Sequence, residues 1–373
     1  MAVKNVGVLK EVKDSEYRVG IVPSIARDLV ARGLTVFVEK NAGTAIGITD
    51  EDYLRAGAEI VSADKIYAEC ELIVKVKEPQ PEECKQLHKG QTLFTFLHLA
   101  RDPLQAKLLI ESGCTAIAYE TVTDSSGGLP IIGAMSEISG RLSVKIAAMH
   151  LEKPYGGPGI LLSGVPGVSA ASVIIIGAGV SGTNALRVAV GLGARVTVLD
   201  TVIARLRLLD SQFGSYINTV FSTQDAIERY VKDADVVIGA VLVPGASTPK
   251  LITRAMVKGM KPGSVIVDMS IDQGGCSETS RVTRLSAPTY VEEGVTHYCV
   301  DNMGACVART ATYALNHTTM PFIIRLAEMG VREACLAEPH LLHGLNIHNG
   351  QVTHAGVAES LGYTYVAPEK ALG

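Results

Sequence analysis

Two sets of residues in this chain have types and spacing suited to chemistry. The first is Gly177-Ala178-Gly179-Val180-Ser181-Gly182, a G-x-G-x-x-G string. It follows a β-branched run at 173–176 and opens a helical pattern at 183–192. A second apolar strand pattern, 195–199, then closes on Asp200. That context predicts a dinucleotide site. Gly177 permits the tight turn, Gly179 lets backbone approach a pyrophosphate, and Gly182 lets helix and strand pack closely. The helix start at Val180 and Ser181 offers N–H groups and the positive end of its dipole to phosphate. Asp200 would bond the adenosine ribose hydroxyls and repel a 2′-phosphate, so NAD is expected over NADP. Arg205, five residues on, could stack on adenine, reach a 2′-phosphate, or be a solvated helix residue.

The second set lies at the carboxyl ends of strand patterns, where open α/β sheets bind ligands. These are Lys75, His98 and Glu120 in the first half, and Ser222, Asp272 and Asn302 in the second. Taken singly, each also fits a structural role: Lys75 as a gatekeeper on an apolar strand, His98 as a core histidine, Asp272 as a turn former beside Gly274-Gly275. No metal is expected. His340 and His343 form the only close histidine pair, without a matching Cys or carboxylate pattern, and read as surface residues. Gly-x-Ser-x-Gly and Walker patterns are absent from the sequence, which argues against acyl and phosphoryl transfer.

The elements that must position these residues alternate between strand and helix. Strand patterns occur at 6–9, 35–39, 72–76, 92–96 and 115–119, with helical patterns between several of them, such as 23–32 and 104–111. A second series of strands follows at 172–176, 195–199, 217–221, 236–240, 264–267 and 297–300. Met135, Ile138, Leu142, Ile146 and Met149 share one helix face, so a helix over 136–151 links the two series. A helical stretch over 305–329 contains Pro321, where a kink or break is expected. The fold class is α/β, with two Rossmann-like, doubly wound parallel-sheet domains joined by long helices.

The chain has 373 residues, enough for about two domains. Its net charge of -4 argues against a nucleic-acid partner. The N-terminus does not read as a signal peptide, and no apolar run is long enough to cross a membrane. Seven cysteines without a C-x-x-C pair fit reduced thiols in a cytoplasmic protein.

Several strings resemble the alanine dehydrogenase / transhydrogenase NAD-subunit family. They are Lys75-Val76-Lys77-Glu78-Pro79, Phe94-Thr95-Phe96-Leu97-His98-Leu99-Ala100, Ala118-Tyr119-Glu120-Thr121-Val122 and Met135-Ser136-Glu137, together with those at 164–168, 239–246 and 270–276. The resemblance runs to at least Pro321. It implies oxidative deamination of L-alanine to pyruvate and ammonia with NAD. Position by position, Arg18 corresponds to the arginine that clamps the substrate carboxylate and Lys75 to a lysine that contacts substrate. His98 corresponds to the acid–base and Asp272 to the second catalytic residue. Ser136 and Asn302 correspond to nicotinamide-side positions, and Ser222 and Arg205 to adenosine-side ones. Val241, Leu242, Met269, Ser270, Ile271, Asp301 and Met303 complete the implied cofactor set. The resemblance also implies a substrate domain over 1–133, an NAD domain over 134–304, a segment at 305–373 that returns to the first, and a homohexamer. The chain departs from the family after Asn302-Met303, where Gly304 and Ala308 stand in place of prolines; a more flexible loop is expected there.

Residue chemistry agrees with these roles. An arginine fork pairs bidentately with a carboxylate, and histidine as a type titrates near neutrality. His98 and Asp272 are expected to serve one reacting carbon from the two domains. The rival readings are a soluble NAD(H)-binding subunit of a proton-translocating transhydrogenase, a non-catalytic NAD-responsive protein, and a saccharopine- or lysine-type dehydrogenase. Neither of the first two needs a proton shuttle.

Overall fold

The computed structural model describes residues 3–242 and 248–373. Val243, Pro244, Gly245 and Ala246, part of one family-like string, lie outside the described residues. The strands are β1 (Asn5–Val8), β2 (Thr35–Glu39), β3 (Glu59–Val61), β4 (Leu72–Val74), β5 (Thr92–Thr95), β6 (Thr115–Ala118), β7 (Ser172–Ile176), β8 (Arg195–Asp200), β9 (Ile217–Phe221), β10 (Val236–Gly239), β11 (Val265–Asp268), β12 (Thr289–Glu292), β13 (Val295–Tyr298), β14 (Leu345–His348) and β15 (Gln351–Val352). The chain divides into two compact units, Met1–Met135 with Val307–Gly373, and Ser136–Cys306.

In the first unit the sheet runs β15-β14-β6-β5-β4-β1-β2-β3. Strands β1 to β6 are parallel. Both faces of this sheet are covered, so its strands read as continuous apolar runs rather than alternating ones. Val6, Val8, Leu72 and Val74 pack on one side, and Ile73, Leu93 and Ala116 on the other. The helix Pro23–Ala31 starts with proline at its first turn, where a missing N–H costs nothing. The helix Pro103–Ser112 is capped by Asp102, which accepts from Gln105 N, and stops at Gly113 in the left-handed region.

The sheet is not wholly parallel. β14 runs antiparallel to β6, and β15 antiparallel to β14. Asn349 and Gly350, both at positive φ, form the two-residue turn between them. The second unit repeats the plan, β12-β13-β11-β10-β7-β8-β9. Only β12 is antiparallel, joined to β13 through Glu293-Gly294, again both at positive φ.

Three expectations need correction. The helix Ala308–Met329 continues through Pro321 without a break. Pro321 and His317, four residues before it, both face solvent, so water can bond the carbonyl that proline leaves unpaired. Leu315, Ile323 and Leu326, buried in the core, hold the helix on either side. The linking helix starts earlier than the apolar face indicated, at Pro130, and runs to His150. His340 is half-buried rather than on the surface, and it and His343 both place Nδ1 against Thr123 Oγ1, at 3.0 and 2.8 Å.

Candidate active site

In both sheets the strand order reverses beside the first strand, between β1 and β4 and between β7 and β10. A chain leaving one strand of such a pair moves away from the chain leaving the other, which opens a crevice at the carboxyl ends.

In the unit Ser136–Cys306 the glycine-rich loop sits at that reversal. Gly177 has φ +104°, and a Cβ on it would stand 2.4 Å from the Ala240 carbonyl oxygen, so an L side chain is excluded twice over. A Cβ on Gly182 would lie 1.8 Å from the Gly177 oxygen. Gly179 differs: its Cβ would meet no protein atom within 4 Å, and it immediately precedes the helix Val180–Gly191. Protein packing therefore does not require glycine at 179, whereas a phosphate group resting on the helix N-terminus would. The site fits a dinucleotide on this ground.

Asp200 ends β8 and is buried. Its Oδ2 accepts from Ala178 N at 2.6 Å and its Oδ1 from Val202 N at 2.7 Å, so it also fastens the glycine loop. Arg205 lies with Nη1 3.5 Å from Asp200 Oδ2, so it is engaged with that carboxylate. Ser222, past β9, donates its N–H to the Asp200 carbonyl at 3.0 Å. Val241, past β10, donates its N–H to Ser270 Oγ at 2.9 Å. Leu242 is exposed.

Asp268 at the end of β11 accepts from Ser270 N, Cys276 N and Ser280 Oγ, fixing the turn Met269–Gln273. Met269 on that turn is half-buried, Ile271 buried and Asp272 exposed. Past β13, Asp301 is exposed and Asn302 half-buried, and the Asn302 carbonyl accepts from Ala305 N at 3.1 Å. Met303–Val307 is a 3-10 turn in which Met303 is buried. Ser136 is half-buried near the start of the linking helix.

In the other unit the strand ends gather the charged groups. Lys75 directly follows β4, and Glu11 lies three residues past β1, its neighbour across the reversal. Lys75 Nζ is 2.8 Å from Glu83 Oε1 and 3.4 Å from Glu11 Oε2, with its side chain 1% exposed. Arg18 is also buried. Its Nε and Nη2 donate to the two oxygens of Glu16 at 2.7 and 2.6 Å, and its Nη1 lies 3.2 Å from Met135 Sδ.

His98 follows β5 and takes the left-handed conformation, φ 53°, which is uncommon for a residue with a side chain. Glu120, past the adjacent β6, supports it by accepting from His98 N at 2.6 Å and Leu97 N at 3.1 Å. The imidazole stacks on Phe96, with centroids 5.7 Å apart and planes 2° apart. His98 Nδ1 stands 4.0 Å from Glu120 Oε1, and the ring stays 40% exposed, open to a ligand.

The sequence reading missed the acidic partners Glu11, Glu16, Glu83 and Asp268, and it took Glu120 only as a strand-end residue. Each cation at these strand ends is held by a carboxylate. The signal for Glu16 was its place two residues before Arg18. Glu11 and Lys75 meet only because β1 and β4 are neighbours, which spacing along the chain does not reveal.

Comparison with known proteins agrees with this plan. Residues 7–139 match the family described as alanine dehydrogenase/PNT, N-terminal domain, and residues 143–355 match alanine dehydrogenase/PNT, C-terminal domain. The chain is 52% identical to the alanine dehydrogenase of Halomonas elongata, covering 99% of this chain and 100% of that one. It is 50% identical to the alanine dehydrogenase of Bacillus subtilis, over 98% and 97%. A solved L-alanine dehydrogenase superposes with a TM-score of 0.93 at 46% identity, over 96% and 99%. A solved transhydrogenase from Sinorhizobium meliloti shares the fold, with a TM-score of 0.79 at 24% identity, over 94% and 99%. With both family domains matched in order and relatives about half identical from end to end, the chain belongs to the alanine dehydrogenase/PNT family.

Proposed function

We propose that this chain is an NAD-dependent alanine dehydrogenase, catalysing L-alanine + NAD + water ⇌ pyruvate + ammonia + NADH. The observation that carries the reading is its end-to-end identity with proteins named alanine dehydrogenase. NAD, when bound, takes the hydride from the substrate α-carbon; the chemistry of that transfer is the cofactor's own. The chain's part is to bind, orient and move protons.

Gly177, Gly179, Val180, Ser181 and Gly182 would cradle the pyrophosphate, with Asp200 at the adenosine ribose, Ser222 and Arg205 on the adenosine side, and Ser136 and Asn302 towards the nicotinamide. Val241, Leu242, Met269, Ser270, Ile271, Asp301 and Met303 belong to the same set. The unit Ser136–Cys306 is then the cofactor unit and the other the substrate unit. Arg18, aligned by Glu16, holds the alanine carboxylate through charged hydrogen bonds. Lys75 supplies a buried positive charge that favours the oxygen of pyruvate. His98 takes the proton from the water that adds to the imino acid and returns it as ammonia leaves. Asp272 orients that water and steadies the positive charge on nitrogen.

The resemblance also supports a cytoplasmic homohexamer. Among the described residues no helix is long and apolar enough to cross a membrane. The test is NADH formation over a panel of amino acids with both cofactors. L-alanine with NAD is expected to give the highest kcat/KM; no turnover with any amino acid would favour the transhydrogenase-subunit reading.

Two variants test the cofactor loop. Gly179→Ala places a methyl where no protein atom stands, so its Tm is expected to stay within a few degrees of wild type while NADH affinity falls by at least about tenfold. Unchanged NADH affinity would remove phosphate from this loop. Asp200→Ala is expected to narrow the preference for NAD over NADP. It should also loosen the loop, because Ala178 N and Val202 N lose their acceptor. Equal use of NADP by the wild type would contradict the assignment of Asp200.

A further inference from the structure

Lys75 carries more support than a substrate contact needs. Its ammonium is buried between two carboxylates, Glu83 from the short helix Pro81–Cys84 and Glu11 from the segment after β1. Each carboxylate is fastened in turn. Glu83 Oε2 accepts from Gln80 N at 2.8 Å, and Tyr67 OH lies 3.4 Å from Glu83 Oε1. Glu11 accepts from Val76 N at 2.7 Å and Lys77 N at 3.3 Å, the two amides that follow Lys75. The ammonium is therefore held at its head by Glu83 and at its root by Glu11.

We propose that Glu83 and Glu11 are positioning residues that keep Lys75 a permanently charged ammonium in one place, leaving the proton shuttle to His98. This rests on the function proposed above. The electrostatic reason is a simple count. Two carboxylates and one ammonium, all out of water, carry one surplus negative charge, so the cluster prefers to retain protons. Burial opposes the Lys75 charge, but Glu11 and Glu83 outweigh it and raise its pKa above the ordinary lysine value. Burial also raises the Glu11 carboxyl, against the lowering by Lys75 and the Val76 amide, and Glu16 and Glu83 add to the rise. A lysine this deeply buried without such partners would lose its charge near neutral pH. Loss of hydride from the α-carbon draws on the nitrogen lone pair, so the reactive substrate is the free amine, and a lysine that lost its proton where amines do would switch off the charge the oxyanion needs.

Glu83→Gln removes the nearer carboxylate and keeps its shape. Its kcat/KM is expected to gain an alkaline limb absent from the wild type, with log kcat/KM falling by about one per pH unit above the new pKa. Combining it with Lys75→Arg should abolish that limb, because arginine stays charged throughout. Glu83→Asp, which restores the charge, should return the wild-type profile at a lower rate. A merely structural Glu83 would scale the whole profile without adding a limb.

Nitrogen-15 NMR of lysine Nζ, with Lys75 assigned by its loss in Lys75→Arg, reads the same charge without turnover. Wild-type Lys75 should remain an ammonium through pH 10. In Glu83→Gln it should titrate below that. A wild-type Lys75 that titrates below pH 10, a Glu83→Gln profile parallel to wild type, or a limb that persists in the double variant would overturn the proposal. Absence of alanine turnover in the wild type would instead overturn the proposed function, and the NMR result would stand apart from it.

Discussion

His98→Ala is expected to lower turnover by about a hundred- to ten-thousandfold, the usual cost of removing a positioned acid–base, with NADH affinity within about twofold of wild type. The structure makes this variant a clean one. The hydrogen bonds from the 97 and 98 amides to Glu120 involve backbone, so alanine keeps them, and what is lost is the imidazole with its stacking on Phe96 and its 4.0 Å approach to Glu120 Oε1. Asp272→Asn should behave alike. Asp272 is exposed on the turn Met269–Gln273, and asparagine keeps its volume. If both groups serve the same chemical step, the double variant should be little worse than the worse single one. Stopped-flow turnover and NADH titration on the four proteins decide it. Near-normal turnover in either single variant would remove that residue from the chemistry, and multiplicative losses would show that the two act independently.

Arg18→Ala is expected to damage both catalysis and folding. Loss of a charged hydrogen bond to the substrate carboxylate, about 1.5–3 kcal/mol, corresponds to at least about a tenfold fall in kcat/KM for alanine. The pairing with Glu16 adds a second effect. Both side chains are buried, and Glu16 Oε1 and Oε2 accept from Arg18 Nε and Nη2. Removing the guanidinium takes a two-point cation away from a buried carboxylate, and breaking such a buried pair costs about 3–5 kcal/mol. A lower Tm is therefore expected alongside the kinetic loss. Arg18→Ala/Glu16→Gln should recover much of the stability and none of the substrate affinity. If the double variant also recovers alanine kinetics, Arg18 serves only as the partner of Glu16.

Much of the fold could be read in the sequence because parallel strands buried on both faces are continuous apolar runs, and β2 and β7 begin and end at the expected residues. The edge strand β9 also matches its expected bounds, but the other edge strands were harder to read. β3, β12 and β15 are short and only partly buried, so neither a run nor an alternation marks them. Two cues were nevertheless present: Asn349-Gly350 and Glu293-Gly294 are two-residue hairpin turns, and the first is the commonest sequence for one. At the site, His98, Lys75 and the glycine loop follow from their place at strand ends. Their holders do not, because Glu120 reaches His98, and Glu11 reaches Lys75, from the next strand in space. The left-handed backbone of His98 gives no sign in the sequence, since it is held there by Glu120 rather than chosen by the residue type.

The central claim is that this chain moves hydride from the α-carbon of L-alanine to NAD and releases ammonia. L-[2-²H]alanine, supplied with NAD, tests it most directly. The expected products are singly deuterated NADH, pyruvate and ammonia in equal amounts, by mass spectrometry and enzymatic assay. Unlabelled NADH, or NADH without matching pyruvate and ammonia, would contradict the account.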